Sequence, residues 1–243
     1  MAKPELDFFD TELIPWKAIE GSTGQYEKIL SKDPETDSFT RLIMSMPDLH
    51  SSIQDYKFPK GKLLCHEDHW EEVFIFKGTI IDTTLNQTFK SGSYACRPPG
   101  MKHGPFFHPT GCISFEVKTY GKMAKPELDF FDTELIPWKA IEGSTGQYEK
   151  ILSKDPETDS FTRLIMSMPD LHSSIQDYKF PKGKLLCHED HWEEVFIFKG
   201  TIIDTTLNQT FKSGSYACRP PGMKHGPFFH PTGCISFEVK TYV

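Results

Sequence analysis

The residues best equipped for chemistry lie in one run, His66-Glu67-Asp68-His69-Trp70-Glu71-Glu72, with two histidines and four carboxylates in seven positions. The run passes directly into the apolar stretch Val73-Phe74-Ile75-Phe76 and then Gly78. Charge carried into a hydrophobic environment is costly unless it is paired or held by a metal. Such a cluster at the entrance to an apolar run therefore predicts a divalent metal site at the mouth of a folded core. Imidazole and carboxylate donors without thiolate suit iron(II), manganese, nickel or zinc. The run is not the helical HExxH of zinc proteases, because Trp70 occupies the fifth position and no helix is expected here.

If the chain stays extended through the cluster, alternation puts His66, Asp68, Glu72, Phe74 and Phe76 on the inward side, with His69 and Glu71 outward. A bulge near Trp70 reverses that order and brings His69 inward, so Asp68 and His69 remain alternatives. Downstream, His108 is a candidate acid or base, since histidine titrates near neutrality, although a histidine in such a loop is more often a surface residue. Arg97 is placed either to bind a carboxylate with two N–H groups or to pair with Glu116. Phe106 and Phe107 are candidate pocket walls.

The elements that must carry these groups read as short strands. Gln25–Ser31, Ser38–Met46, Ser51–Phe58, Val73–Phe76, Thr79–Thr83, Asn86–Lys90, Tyr94–Arg97 and Cys112–Val117 are apolar or alternate with a period of two. Gly and Pro turns such as Pro59-Lys60-Gly61, Ser91-Gly92-Ser93 and Pro98-Pro99-Gly100 separate them. Eight or more short strands without a helical period argue for an all-β sandwich or barrel. Residues 6–20 can hold a helical turn, but Pro15 excludes a long helix.

All of this occurs twice. Residues Met1–Tyr120 recur without a change as Met123–Tyr242, with only Gly121-Lys122 between them, in a chain of 243 residues. The reading is two domains, 1–122 and 123–243, each large enough for its own core. Verbatim identity is unusual for a natural duplication. It fits an engineered single-chain dimer, two concatenated copies of a homodimer subunit, or a very recent duplication. The net charge of −7 and the lack of a basic block argue against nucleic acid or an anionic membrane as partner. No apolar run approaches the length of a transmembrane helix, and the N-terminus lacks the design of a signal peptide. Three cysteines per copy (Cys65, Cys96, Cys112) without CxxC fit reduced thiols better than a disulfide framework. A cytoplasmic protein is expected.

Two spaced motifs carry a family resemblance. Gly61, His66, Glu72 and Gly78 resemble the first cupin motif, a glycine, His-x-His, a glutamate and a closing glycine. Here Asp68 stands at the second histidine, and the gaps at both ends are one residue shorter. Gly92, Pro98, Gly100 and His103 match the second motif at every position, while Phe107 stands where many cupins carry asparagine. The wording EEVFIFKG and RPPGMKHGPF is similar to the ChrR-type branch of the RmlC-like cupins, over residues 42–117 of each copy.

The resemblance implies a small double-stranded β-helix, or jelly-roll, barrel, its two copies forming a bicupin or fused dimer. It also implies one divalent metal per barrel. The ligands it implies are His66, Glu72 and His103 with Asp68 or His69, and in the second copy His188, Glu194 and His225 with Asp190 or His191. His108 and His230 are the candidate catalytic residues. Relatives of this type include zinc-binding sensor domains and iron enzymes that oxidatively cleave small dicarbonyl or hydroxyketone compounds. The function expected from it is a mononuclear non-haem iron dioxygenase acting on a small carbonyl or hydroxyketone. Zn2+, Mn2+ or Ni2+ are alternatives to Fe2+, and a zinc or small-ligand sensor or a metal-dependent isomerase or lyase are the alternative functions. The partners expected are a small-molecule substrate and a second cupin module, in a homodimer or within the chain.

Overall fold

The computed structural model describes residues 1–51, 62–173 and 184–242. The strand expected over 51–58 and the motif glycine Gly61 lie almost wholly outside the described residues, as do their counterparts in the second repeat. The chain divides into two compact units. One is built from residues 14–135, and the other from 3–13 together with the chain from Ile136 onward. These units do not coincide with the repeats 1–122 and 123–243. Each completes its sheet with the first strand of the other repeat, so residues 123–135 belong with the core of repeat one.

In the unit of residues 14–135, the main sheet runs in the order Leu128–Asp132, Ser93–Arg97, Trp70–Asp82, Cys112–Thr119, Phe39–Ser45, Gln25–Lys32 and Lys17–Ala18. Every pairing along it is antiparallel. The far half of Trp70–Asp82 leaves this sheet and pairs with Gln87–Lys90 and Phe106–His108, the latter bonded to Leu49–His50. Leu64–Cys65 pairs with Lys102–His103. The result is an all-β jelly-roll barrel. The other unit repeats the arrangement, and its first strand, Leu6–Asp10, pairs with Ser215–Arg219. The helical turn expected near the start is a single 3-10 turn, Thr11–Leu13. No helix among the described residues is long and apolar enough to cross a membrane.

The two strands expected around Gly78 are one strand of 13 residues, Trp70–Asp82. Gly78 has a φ of 85° and lies against the opposite backbone, where an added Cβ would be 2.1 Å from the Gly111 carbonyl oxygen. The glycine thus lets a strand continue through a close backbone approach, where its sequence context reads as a turn. Gly78→Ala is expected to cost at least about 2 kcal/mol, because a left-handed φ and a backbone clash add together. Urea denaturation measures it, and an unchanged midpoint would contradict this geometry.

Both faces of the strand are buried from Trp70 to Phe76. Val73 and Ile75 pack into the core with Ile80, Phe89, Ala95, Phe106, Cys112 and Phe130, while Phe74 is fully buried on the opposite face. The phenylalanines therefore do not mark the cavity side, and an inward assignment based on them is reversed.

Candidate metal centre

Reversed parity decides which carboxylate enters the site. Glu71, two residues before Val73 and so on the same face, points into a cavity of about 220 Å³ together with His66, Arg97, His103 and His108. Glu72 faces the other way, where Lys125 Nζ donates to its Oε1 at 2.6 Å and the Tyr94 hydroxyl donates to its Oε2. Glu194 is held in the same way by Lys3 and Tyr216. The expectation that Glu72 and Glu194 line the site is thus corrected. Both carboxylates are buried, but they serve to anchor the first strand of the other repeat.

Four side chains converge instead: His66, His69, Glu71 and His103, repeated as His188, His191, Glu193 and His225. Potential ligand atoms of His66, Glu71 and His103 lie within 4.8 Å of one another, and so do those of His188, His191 and Glu193. His66 Nε2 is 3.3 Å from Glu71 Oε1, and His103 Nε2 is 3.9 Å from Glu71 Oε2. The His66 ring centroid is 4.6 Å from that of His69 and 5.2 Å from that of His103. The two nitrogen–oxygen spans, 3.3 and 3.9 Å, approach twice a metal–ligand bond of about 2.1 Å.

Asp68 does not join the group. Its side chain is 71% exposed, and its carboxylate takes the His69 Nδ1–H at 2.7 Å. Asp190 does the same for His191. Residues 66–69 precede the strand, which begins at Trp70, so strict alternation never applied to Asp68 or His69.

The neighbours leave the right nitrogens available. With Asp68 accepting at Nδ1, the Nε2 of His69 is buried with no hydrogen-bond partner, as is that of His191. His103 Nδ1 lies 3.2 Å from the Met101 carbonyl, which can only accept, so its proton sits there and Nε2 keeps a lone pair. Burial, and then the Arg97 charge, lower the His103 pKa to about 4, so the ring stays neutral. Burial also lowers that of His69. Burial works against an ionised Glu71, but hydrogen bonds with Glu116 and His66 and the charge of Arg97 hold its carboxyl well below the usual range. Glu116 carries the proton of this pair, its pKa raised to about 7 by burial and by Glu71. The imidazoles of His69 and His103 kept neutral by burial, the His66 ring beside them, an ionised carboxylate and an orphaned buried nitrogen together fit a divalent cation.

The surrounding residues refine several expectations. Arg97 pairs with Glu71 at 2.7 Å, and Arg41 takes Glu116. Phe106 walls the cavity, whereas Phe107 stacks on exposed His50 at 4.5 Å on the outside. His108 shares the inward parity of Phe106 and is not a surface residue; it is 5% exposed, and its Nδ1 has no hydrogen-bond partner. His230 is buried likewise. All six cysteines are free; Cys65 is exposed and directed at Glu67 rather than at the cluster. The sequence reading passed over Glu71 as a ligand and Phe130 as part of the first repeat's cavity. The two buried faces of the strand hid the first, and the exchange of first strands hid the second.

The barrel has the cupin fold. No protein-family model and no curated protein matches the chain, but solved structures of this fold do. A candidate dioxygenase from Nostoc punctiforme PCC 73102 superposes with a TM-score of 0.74 at 14% identity, covering 98% of this chain and 83% of that one. HEPD of Streptomyces albus, solved with 2-hydroxyethylphosphonate and Fe(II) bound, has a TM-score of 0.66 at 6% identity, covering 98% and 76%. A cupin 2 conserved barrel domain protein from Leptotrichia buccalis reaches 0.58 at 12% identity, covering 98% of each chain.

Proposed function

We propose that the chain is a metal-dependent cupin enzyme of the ChrR-type branch, a mononuclear non-haem iron dioxygenase acting on a small carbonyl or hydroxyketone. The observation that carries this reading is the convergence of His66, Glu71 and His103 at one cavity, with the His69 ring against His66 and its buried Nε2 unpartnered. HEPD, a protein of similar fold, was solved with Fe(II) bound, which supports iron as the ion. A divalent metal held here supplies Lewis acidity toward substrate oxygens and, as iron(II), redox chemistry with dioxygen.

The chain's own residues prepare the cavity. Arg97 and Glu116 keep Glu71 ionised and in place, and Asp68 and the Met101 carbonyl orient two of the imidazoles. Val73, Ile80 and Phe106 supply apolar wall against water. His108, and His230 in the other unit, are proposed to receive or return a substrate proton. Burial lowers the pKa of each to about 4, so the ring is neutral and open as an acceptor. The ligand for this site is a small molecule rather than nucleic acid or membrane, in a cytoplasmic protein. Glu116, which still carries its proton near neutrality beside Glu71, favours a second reading, proton transfer at a carbonyl by an isomerase or lyase.

Elemental analysis of protein purified without added metal, followed by oxygen-electrode assays with iron(II) and pentane-2,4-dione or a small hydroxyketone, separates these readings. The dioxygenase consumes about one O2 per substrate cleaved. Stoichiometric zinc with no oxygen uptake would sink it, and product formation without oxygen would select the second reading.

A further inference from the structure

The first strand of each repeat does more than extend a sheet. Phe130, from repeat two, lines the cavity that holds His66, Glu71 and His103 of repeat one. Its ring centroid is 4.7 Å from the Arg97 guanidinium carbon, and Phe106 lies on the same guanidinium at 5.3 Å. Arg97 donates from Nη1 to Glu71 Oε2 at 2.7 Å, while its buried Nε and Nη2 have no hydrogen-bond partner. The rings of Phe106 and Phe130 therefore take the place of polar partners around a buried cation. The other unit repeats the chain of contacts: Phe8 lies 4.7 Å and Phe228 5.4 Å from Arg219, which bonds Glu193 at 2.7 Å.

Resting on the metal reading above, we propose that Phe130 and Phe8 are positioning residues of the metal centre. Each reaches from one repeat to hold the arginine that fixes the glutamate ligand of the other. Every centre then takes its ligands from one copy and part of its support from the second. The strand is fastened at its start by the buried pairs Lys125–Glu72 and Lys3–Glu194, both at 2.6 Å. Phe9 and Phe131, on the other face of the same strands, touch Tyr216 and Tyr94 and provide an internal control.

The test uses the full chain carrying His103→Ala, which leaves the centre of His188, His191, Glu193 and His225 as the single competent one. Co(II) is titrated against a competing chelator, and its visible absorption bands are recorded. Adding Phe8→Leu is expected to weaken Co(II) by about 10-fold or more, as for residues that brace a metal ligand, and to shift the bands. Adding Phe130→Leu or Phe9→Leu is expected to change the affinity less than about 2-fold; thermal melts verify that each variant is folded. Loss with Phe130→Leu rather than Phe8→Leu would show that each strand serves its own repeat. Equal loss with Phe8→Leu and Phe9→Leu, or none with either, would reduce the strand to packing. Each of those results overturns the proposal. A wild-type chain that takes up no Co(II) refutes the metal reading itself and is seen before any variant is made.

Discussion

Replacing both Glu71 and Glu193 with glutamine removes tight metal binding, whereas replacing Glu72 and Glu194 leaves one metal ion in each unit and lowers stability instead. The two pairs are sequence neighbours with opposite environments. Glu71 is ionised, points into the cavity and lies 3.3 Å from His66 Nε2. An amide keeps its shape but loses the charge that balances a dication, so affinity should fall by more than the roughly 10–100-fold typical of residues that only brace a ligand. Glu72 is committed to Lys125 and Tyr94. Its replacement removes the carboxylate charge opposite a buried ammonium; breaking a buried ion pair typically costs about 3–5 kcal/mol. Metal stoichiometry by elemental analysis and urea midpoints on the same samples check both halves. Metal lost with the Glu72 variants and kept with the Glu71 variants would restore the assignment that simple strand alternation predicts.

Acid destabilises the protein well before ordinary carboxylates are protonated. In each unit two histidines, His103 with His108 and His225 with His230, have pKa values lowered to about 4 by burial. Between about pH 6.5 and 4 the unfolded chain binds protons there that the folded chain refuses, so stability falls as pH falls, by about 3 kcal/mol per histidine. Glu116 and Glu238 oppose this. Raised to about 7, they bind protons in the folded state between pH 4.5 and 7 that the unfolded state does not, which favours the folded chain at lower pH. Two histidines against one carboxyl leave a net loss of about 3 kcal/mol per unit on going from pH 6.5 to 4.5. Metal release by protonated ligands adds to it. Melting temperatures of metal-free protein across this range test the balance, and the change should shrink in His108→Phe with His230→Phe. A flat profile for the wild-type chain would show that these histidines are not buried neutral.

Much of the barrel was legible because alternation and turn residues act locally. Phe39–Ser45, Gln87–Lys90 and Ser93–Arg97 appear within a residue or two of where their periodicity put them. The Gly92, Pro98, Gly100 and His103 spacing also led to the cavity, since His103 lines it. Glu71 against Glu72 was not legible, because alternation identifies an inward face only when the other face meets water. In Trp70–Phe76 both faces are buried. Asp68 and His69 could not be separated either, since residues 66–69 are not in a strand and their directions follow from hydrogen bonds. The role of Phe130 was out of reach for a different reason. Identical repeats give every strand two equivalent partners, and periodicity does not choose between them.

That ambiguity bears on how such a chain can change over generations. The segment Leu128–Asp132 is encoded with one copy, but its fit is judged by Ser93–Arg97 of the other. While the copies are identical the distinction is invisible. The first accepted substitution in either core ends that equivalence and obliges a matching change in the opening strand of the other copy. Selection therefore sees the copies as a coupled pair, and neither is free to drift toward a separate role while its opening strand remains on loan.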